Sequence, residues 1–318
     1  MSDLITVRIE AKAAAALDVC ALTLVAADGG ELPAFTAGAH VDVHLPGGIV
    51  RQYSLCNDPA ETHHYKLGVL LETQSRGGSQ AVHRALEPGH TLQISAPKNH
   101  FPLAADATRS LLIAGGIGVT PILAMARHLA RAGAAFEFHY AGRSTERMAF
   151  RSEIEASDWA AAARFHVGDG VLDVEQLLAS QGNDVHVYTC GPKGLIDAVA
   201  ATAKRLGWAG GRVHHEFFVG AEASASGGNS AFEIELAGSG RVITVAADQT
   251  AAQALIAAGV PLLTSCEQGV CGTCLTRVLA GVPEHRDLYL TPEEQAANDQ
   301  FTPCCSRARS SRLVVDLA

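Results

Sequence analysis

Five of the eight cysteines in this 318-residue chain gather near its C-terminus, as Cys266, Cys271, Cys274, Cys304 and Cys305. The first three read C-x4-C-x2-C and Cys304 follows at a distance, which is the spacing of a [2Fe–2S] cage. One tight loop wraps two irons only if several thiolates converge from a short segment, and the fourth must arrive from a distant strand. Gly269 and Gly272 let such a loop bend and turn its N–H groups towards the sulfurs. A four-thiolate zinc site and plain buried thiols are the alternatives. Zinc more often takes two C-x2-C hooks, and only one is present. Adjacent cysteines do not easily reach the same iron, so one of Cys304 and Cys305 is spare. Cys20, Cys56 and Cys190 stand alone, which makes a chain-wide disulfide framework a poor account of the count.

Glycine turns supply the second chemistry. An apolar strand, Leu111 to Ala114, runs into Gly115-Gly116-Ile117-Gly118-Val119-Thr120-Pro121. A helix starting at Pro121 with Thr120 as N-cap would present bare N–H groups to a diphosphate. Pro121 replaces the third glycine of G-x-G-x-x-G, so a ligand-free turn remains an alternative. The next strand ends Tyr140-Ala141-Gly142-Arg143 without the usual acidic residue. Arg143 suits a 2′-phosphate, a pyrophosphate or solvent. Val185 to Thr189 delivers Cys190-Gly191-Pro192 at the end of a strand where α/β sheets bind ligands, so Cys190 is either a buried structural thiol or a ligand-side group. Earlier in the chain, Arg51-Gln52-Tyr53-Ser54-Leu55 is a strand, and Arg76-Gly77-Gly78-Ser79 opens a helix as a second phosphate cradle.

These residues need three kinds of scaffold. Residues 1–103 read as short strands separated by DGG, PGG, NDP and EPG turns, with a helical patch SQAVHRAL, and suggest an antiparallel barrel or sandwich. Residues 104–222 alternate strand and helix, as in a parallel sheet covered on both faces. A small, polar, Gly-rich linker over 223–230 precedes a third segment, 231–318, with its own hairpin, helix and closing strand. At 48% hydrophobic and 18% charged, the chain can bury sizeable cores. Its net charge of −9 argues against nucleic acid as a partner. Asp3 and Glu10 argue against a signal peptide, and Gly115, Gly116, Gly118 and Pro121 interrupt the longest uncharged stretch. No membrane association and a cytoplasmic location are therefore expected. The pairs His63-His64 and His214-His215 read as surface or core histidines without ligand partners.

Together these motifs resemble the phthalate dioxygenase reductase family, within the ferredoxin–NADP reductase superfamily. Arg51-x-Tyr53-Ser54 is similar to its flavin motif, the Gly115–Pro121 turn to its nucleotide motif, and Cys190-Gly191-Pro192 to its nicotinamide-side motif. Cys304-Cys305-Ser306-Arg307-Ala308 is similar to its last ligand region, whose first cysteine holds iron. The resemblance spans nearly the whole chain. It implies a β-barrel flavin domain, an α/β parallel-sheet nucleotide domain and a C-terminal α+β plant-type ferredoxin domain. Arg51, Gly77, Gly78 and Ser79 would hold the flavin phosphate, Tyr53 would pack on the ring and Ser54 would sit near its N5. Phe218 would cover the ring's nicotinamide side, and Cys190 would position the nicotinamide. Gly115, Gly116, Gly118, Thr120, Pro121, Arg143, Gly191 and Pro192 would line the nucleotide. Cys266, Cys271, Cys274 and Cys304 would carry the cluster. The implied activity passes electrons from NADH through FMN, in preference to FAD, to the [2Fe–2S] cluster and then to a Rieske-type terminal oxygenase of aromatic catabolism. An FAD- and NADPH-dependent reductase of another acceptor, including a quinone or P450 reductase, and a zinc- and nucleotide-binding module are the competing readings.

Overall fold

In the computed structural model, residues 4–72, 77–168, 172–182, 184–218, 229–264 and 266–317 are described. The expected linker lies outside them except for Asn229 and Ser230, and so does Arg76. The chain divides into two compact units, Met1–Glu216 and Phe217–Ala318.

The first unit begins with strands β1 (Ile5–Ala16), β2 (Val19–Ala26), β3 (His40–Leu45), β4 (Ile49–Ser54), β5 (Tyr65–Leu70) and, after helix α1 (Gly78–Ala85), β6 (Thr91–Ile94). They form one antiparallel sheet in the order β4-β3-β6-β1-β2-β5. A bridge between Leu55 and Leu67, and a bond from Cys56 N–H to the Lys66 carbonyl, join the ends of the two edge strands. The sheet thus closes on itself as a barrel, and its alternating residues, among them Ile9, Leu22, Leu24, Val41 and Leu67, fill the interior. Lys12 donates to the carbonyls of His83 and Leu86 at 2.8 and 2.7 Å, so a cation fixes the C-terminal end of α1 against β1.

The same unit continues with β7 (Arg109–Gly115), α2 (Val119–Arg131), β8 (Ala135–Gly142), α3 (Arg151–Glu155), β9 (Ala163–Val167), α4 (Val174–Ala179), β10 (Val185–Cys190), α5 (Lys193–Arg205) and β11 (Val213–Glu216). The strands are parallel in the order β11-β10-β7-β8-β9. Every residue of β10 is buried, as a central strand covered on both faces requires. The strand order reverses between β7 and β10, which opens a crevice at their carboxyl ends. The helix after β7 corrects one expectation. It begins at Val119 behind a 3₁₀ turn over Gly116–Gly118, and Thr120 is no N-cap, because its hydroxyl donates to the Ile117 carbonyl at 3.1 Å. The chain turns helical straight out of β7, and Pro121 falls in the first turn, where a missing N–H costs no intrahelical bond. Gly68 of β5 lets this helix approach the barrel: a Cβ there would stand 2.8 Å from Thr120 Cγ2 and 2.9 Å from the Phe150 ring.

The second unit carries β12 (Phe232–Leu236), β13 (Val242–Val245), α6 (Ala251–Ala257), β14 (Thr276–Ala280), β15 (Pro283–Glu284), α7 (Pro292–Ala297), β16 (Gln300–Phe301), β17 (Arg307–Ala308) and β18 (Arg312–Val315). The main sheet has the order β13-β12-β18-β14-β16, with β12 and β18 parallel and the other pairs antiparallel, while β15 pairs with β17. A capping box between Thr250 and Gln253 starts α6. Arg307 is buried and donates to the carbonyls of Gln249, Ser230 and Ala246 at 2.7 to 3.0 Å, so this residue of the last ligand region serves the fold. Among the described residues, no helix is long and apolar enough to cross a membrane.

Candidate functional site

At the barrel, β4 and the head of α1 meet. Arg51 lies directly against Gly78: a Cβ on that glycine would stand 2.6 Å from Arg51 Cγ and 2.8 Å from its Nε. Gly77 precedes the helix with φ 90°, a left-handed conformation that suits glycine, and the helix N-cap makes no side-chain hydrogen bond among the described residues. A guanidinium and the positive end of a helix therefore face the same place, which fits a phosphate. The Ser79 hydroxyl accepts from Glu72 N–H at 3.1 Å and stays beside this cradle. Tyr53 packs on the barrel core, and burial pushes its hydroxyl well above the ordinary tyrosine range. Ser54 is buried at the end of β4, paired with His40.

At the crevice, the two glycine loops touch through their backbones. A Cβ on Gly118 would stand 2.3 Å from the Cys190 carbonyl oxygen, and one on Gly191 would stand 2.8 Å from Gly115 Cα. On Gly115 it would stand 2.7 Å from Pro192 and Leu195. Tyr140 donates to the Gly116 carbonyl at 3.1 Å and fixes the turn. Arg143 is exposed just beyond β8. Cys190 is fully buried, and burial, aided by the charge of Glu216, pushes its thiol well above the ordinary cysteine range, which favours the neutral form. Glu216 pairs with Cys190 across β10 and β11. The residue is half-buried, yet its Oε2 is sealed without a hydrogen-bond partner among the described residues, and burial pushes the carboxyl up to about 8. The neighbouring Thr189 Oγ1 is likewise buried, with no hydrogen-bond partner among the described residues. Sequence reasoning passed over Glu216, whose place beside Cys190 depends on strand register. Phe218 follows β11, belongs to the second unit and is half-buried.

In the second unit the cysteine loop runs between α6 and β14, and Cys304 returns after β16. The thiols come within hydrogen-bond reach of one another: Cys266 with Cys271 and Cys304, and Cys274 with Cys304. Such bonds pull Cys266 and Cys274 down and push Cys271 and Cys304 up, so the four compete for the same protons. Backbone N–H groups of Gln268 and Val270 reach Cys266 Sγ at 3.3 and 3.5 Å, and that of Thr273 reaches Cys271 Sγ at 3.5 Å. Convergent thiols with N–H donors on their sulfurs fit a thiolate-held cluster. Among the described residues, no three His, Cys, Asp or Glu side chains gather as for a single ion, an arrangement that two irons sharing four thiolates do not require. Cys305 also reaches Cys304, but its sulfur meets the Thr302 hydroxyl at 3.3 Å and packs where a Gly269 Cβ would be. Gly269 and Gly272 have φ 71° and 69°.

Residues 234–309 match the model of the 2Fe-2S iron-sulfur cluster binding domain family. The chain is 51% identical to the vanillate O-demethylase oxidoreductase of Pseudomonas sp. strain HR199 over 318 residues, which cover 99% of this chain and 100% of that one. It superposes on the solved phthalate dioxygenase reductase with a TM-score of 0.79 and 35% identity, covering 99% of this chain and 98% of that one. The chain belongs to the phthalate dioxygenase reductase family. It is an oxygenase reductase, an oxidoreductase whose barrel and parallel-sheet parts precede a [2Fe–2S] domain. The reductase is also similar to part of an intact type IV self-sufficient cytochrome P450 monooxygenase, with a TM-score of 0.83 and 40% identity over 99% of this chain and 41% of that one.

Proposed function

We propose that the reductase takes electrons from NADH through FMN to its [2Fe–2S] cluster and delivers them to a Rieske-type terminal oxygenase that demethylates vanillate or a related aromatic ether. The full-length likeness to a vanillate O-demethylase oxidoreductase carries this reading. Arg51, Tyr53, Ser54, Gly77, Gly78 and Ser79 would hold FMN, and Cys266, Cys271, Cys274 and Cys304 would hold the cluster. When bound, these groups supply the exchange between a two-electron donor and one-electron acceptors. Arg51 and the head of α1 bind and neutralise the flavin phosphate. Gly115, Gly116, Gly118, Thr120 and Pro121 shape the nucleotide's diphosphate site, Gly191 and Pro192 wall it, and Arg143 stands at its outer edge. Cys190 orients the nicotinamide as a neutral group. Glu216 keeps its proton near neutrality and meets the nucleotide as a neutral hydrogen-bonding side chain. The proposed domains are 1–103, 104–222 and 231–318, in a cytoplasmic protein.

Reconstitution tests the reading. Purified reductase, NADH and a vanillate O-demethylase oxygenase component should convert vanillate with consumption of O2, and heat should release FMN. The likeness to a P450 monooxygenase favours a haem acceptor as the second reading. Electron delivery to a P450 with none to any Rieske oxygenase would establish that reading instead.

A further inference from the structure

We propose that Asp287 is a positioning residue of the cluster cage, fastening its two separately supplied ligand segments to each other; the inference rests on the cluster reading above. Asp287 lies in neither helix nor strand, yet its side chain is 0% exposed. Its Oδ2 accepts the Leu290 N–H at 2.8 Å and its Oδ1 accepts the Ser306 hydroxyl at 3.2 Å. Ser306 follows Cys304 by two residues, and its oxygen also meets Thr302 Oγ1 at 2.9 Å and accepts the Arg286 N–H at 3.1 Å. One carboxylate oxygen is therefore tied to the segment that supplies the fourth thiolate.

The other tie runs to the C-x4-C-x2-C loop. Leu288 N–H donates to the Gly269 carbonyl at 2.9 Å. A Cβ on Gly269 would stand 2.8 and 2.9 Å from Asp287 Cβ and Cα, and 2.4 Å from Cys305 Sγ. Two residues on, Tyr289 lays its ring over the second loop glycine, where a Gly272 Cβ would stand 2.3 Å from it. The turn that Asp287 closes onto Leu290 thus presses on both bends of the ligand loop. No lysine or arginine pairs with Asp287 among the described residues; its ion-pair partner is the imidazole of His285, whose Nδ1 stands 3.6 Å from Oδ1, beyond hydrogen-bond reach. A carboxylate sealed from solvent is costly to bury, and its two hydrogen bonds help to hold it there. This strap also gives Cys305 a place: its thiol wedges between the Gly269 bend and Thr302, as a wall and not a ligand.

Three variants of the full-length holoprotein test the assignment through iron release to a chelator, the electron paramagnetic resonance spectrum of the reduced cluster, and its reduction potential. Asp287→Ala loses the bond to Ser306 and the bond to Leu290 that closes the turn against the ligand loop, and should release iron at least about tenfold faster, with an altered spectrum. Ser306→Ala loses one tie and should fall between that variant and the parent; it decides the matter should the first not fold. Asp287→Asn keeps an acceptor for Leu290 N–H and turns an amide to the Ser306 oxygen. It should hold iron within about threefold of the parent while its potential rises, because a buried negative charge has left. Parent-like release and spectra in the alanine variants would overturn the proposal, as would an asparagine variant as leaky as Asp287→Ala. A parent protein that shows no [2Fe–2S] signal would instead sink the cluster reading itself.

Discussion

Replacing Glu216 by glutamine keeps the side chain's shape and removes its titration. The carboxyl ionises near 8 in the folded chain, against 4.5 for an ordinary one, because burial penalises the charged form. Between those values the folded chain keeps a proton that the unfolded chain has already lost. Stability must therefore fall as pH rises from about 4.5 to about 8, and the whole penalty is present above that. At 1.36 kcal/mol per unit of pKa the loss amounts to about 5 kcal/mol. Glu216→Gln carries no such penalty. It should match the parent near pH 4.5 and exceed its stability by several kcal/mol at pH 8.5.

Both tryptophans of the chain lie in the parallel-sheet region, Trp159 against Phe136 and Phe138, and Trp208 under the Arg212 guanidinium. Urea unfolding followed by their fluorescence thus reads this region rather than the tail. Removing the nearby carboxylate should also bring the Cys190 thiol down from its raised value, since the charge of Glu216 is the second cause of that shift. Parent and variant curves that stay parallel from pH 5 to 8.5 would refute the buried, unpartnered carboxyl.

Four further outcomes are expected. Arg51→Ala should weaken flavin binding by about ten- to a hundredfold, read as flavin lost on dialysis, because a charge-assisted contact at the phosphate cradle goes. Gly118→Ala must displace the Cys190 backbone 2.3 Å away, so it should raise the KM for NADH while leaving flavin content intact. Gly269→Ala should lose the cluster on purification, since its Cβ meets Asp287 backbone at 2.9 Å as well as a thiol. Gly272→Ala should retain it, because the Tyr289 ring in its way is 39% exposed and can swing out, leaving about 1–2 kcal/mol of left-handed strain. Iron content of the two purified variants checks the order.

The parts that chain spacing encodes were legible. C-x4-C-x2-C is a local constraint, and a run of strand, glycine turn and helix signals itself through composition and period. Glu216 was not legible, because its neighbour Cys190 lies on another strand and only the register of β10 and β11 brings them together. The Asp287–Tyr289 strap was equally hidden, since it has no periodicity and reaches the ligand loop from beyond β14 and β15. Helix α7 could have been read: Thr291-Pro292-Glu293-Glu294 holds a capping box with proline in the first turn. The displaced start of α2 shows the opposite hazard, in which Thr-Pro mimics a cap and the glycines before it already run helical.

The glycines of the crevice sharpen what such motifs can prove. Gly115, Gly118 and Gly191 are required by the contact between two loops, whatever sits above them. A ligand-free ancestor with the same strand order would need them too, so their presence alone does not specify a nucleotide. The barrel cradle is different in kind. Gly78 yields its space to Arg51, whose guanidinium bonds the Val50 carbonyl at 2.7 Å and is brought to the head of a helix, a place that suits an anion. The proposed phosphate site at the barrel therefore has the more direct structural support of the two. The crevice gains its force from Thr189 Oγ1 and Glu216 Oε2, buried oxygens without a hydrogen-bond partner among the described residues, which suits a place that a ligand completes.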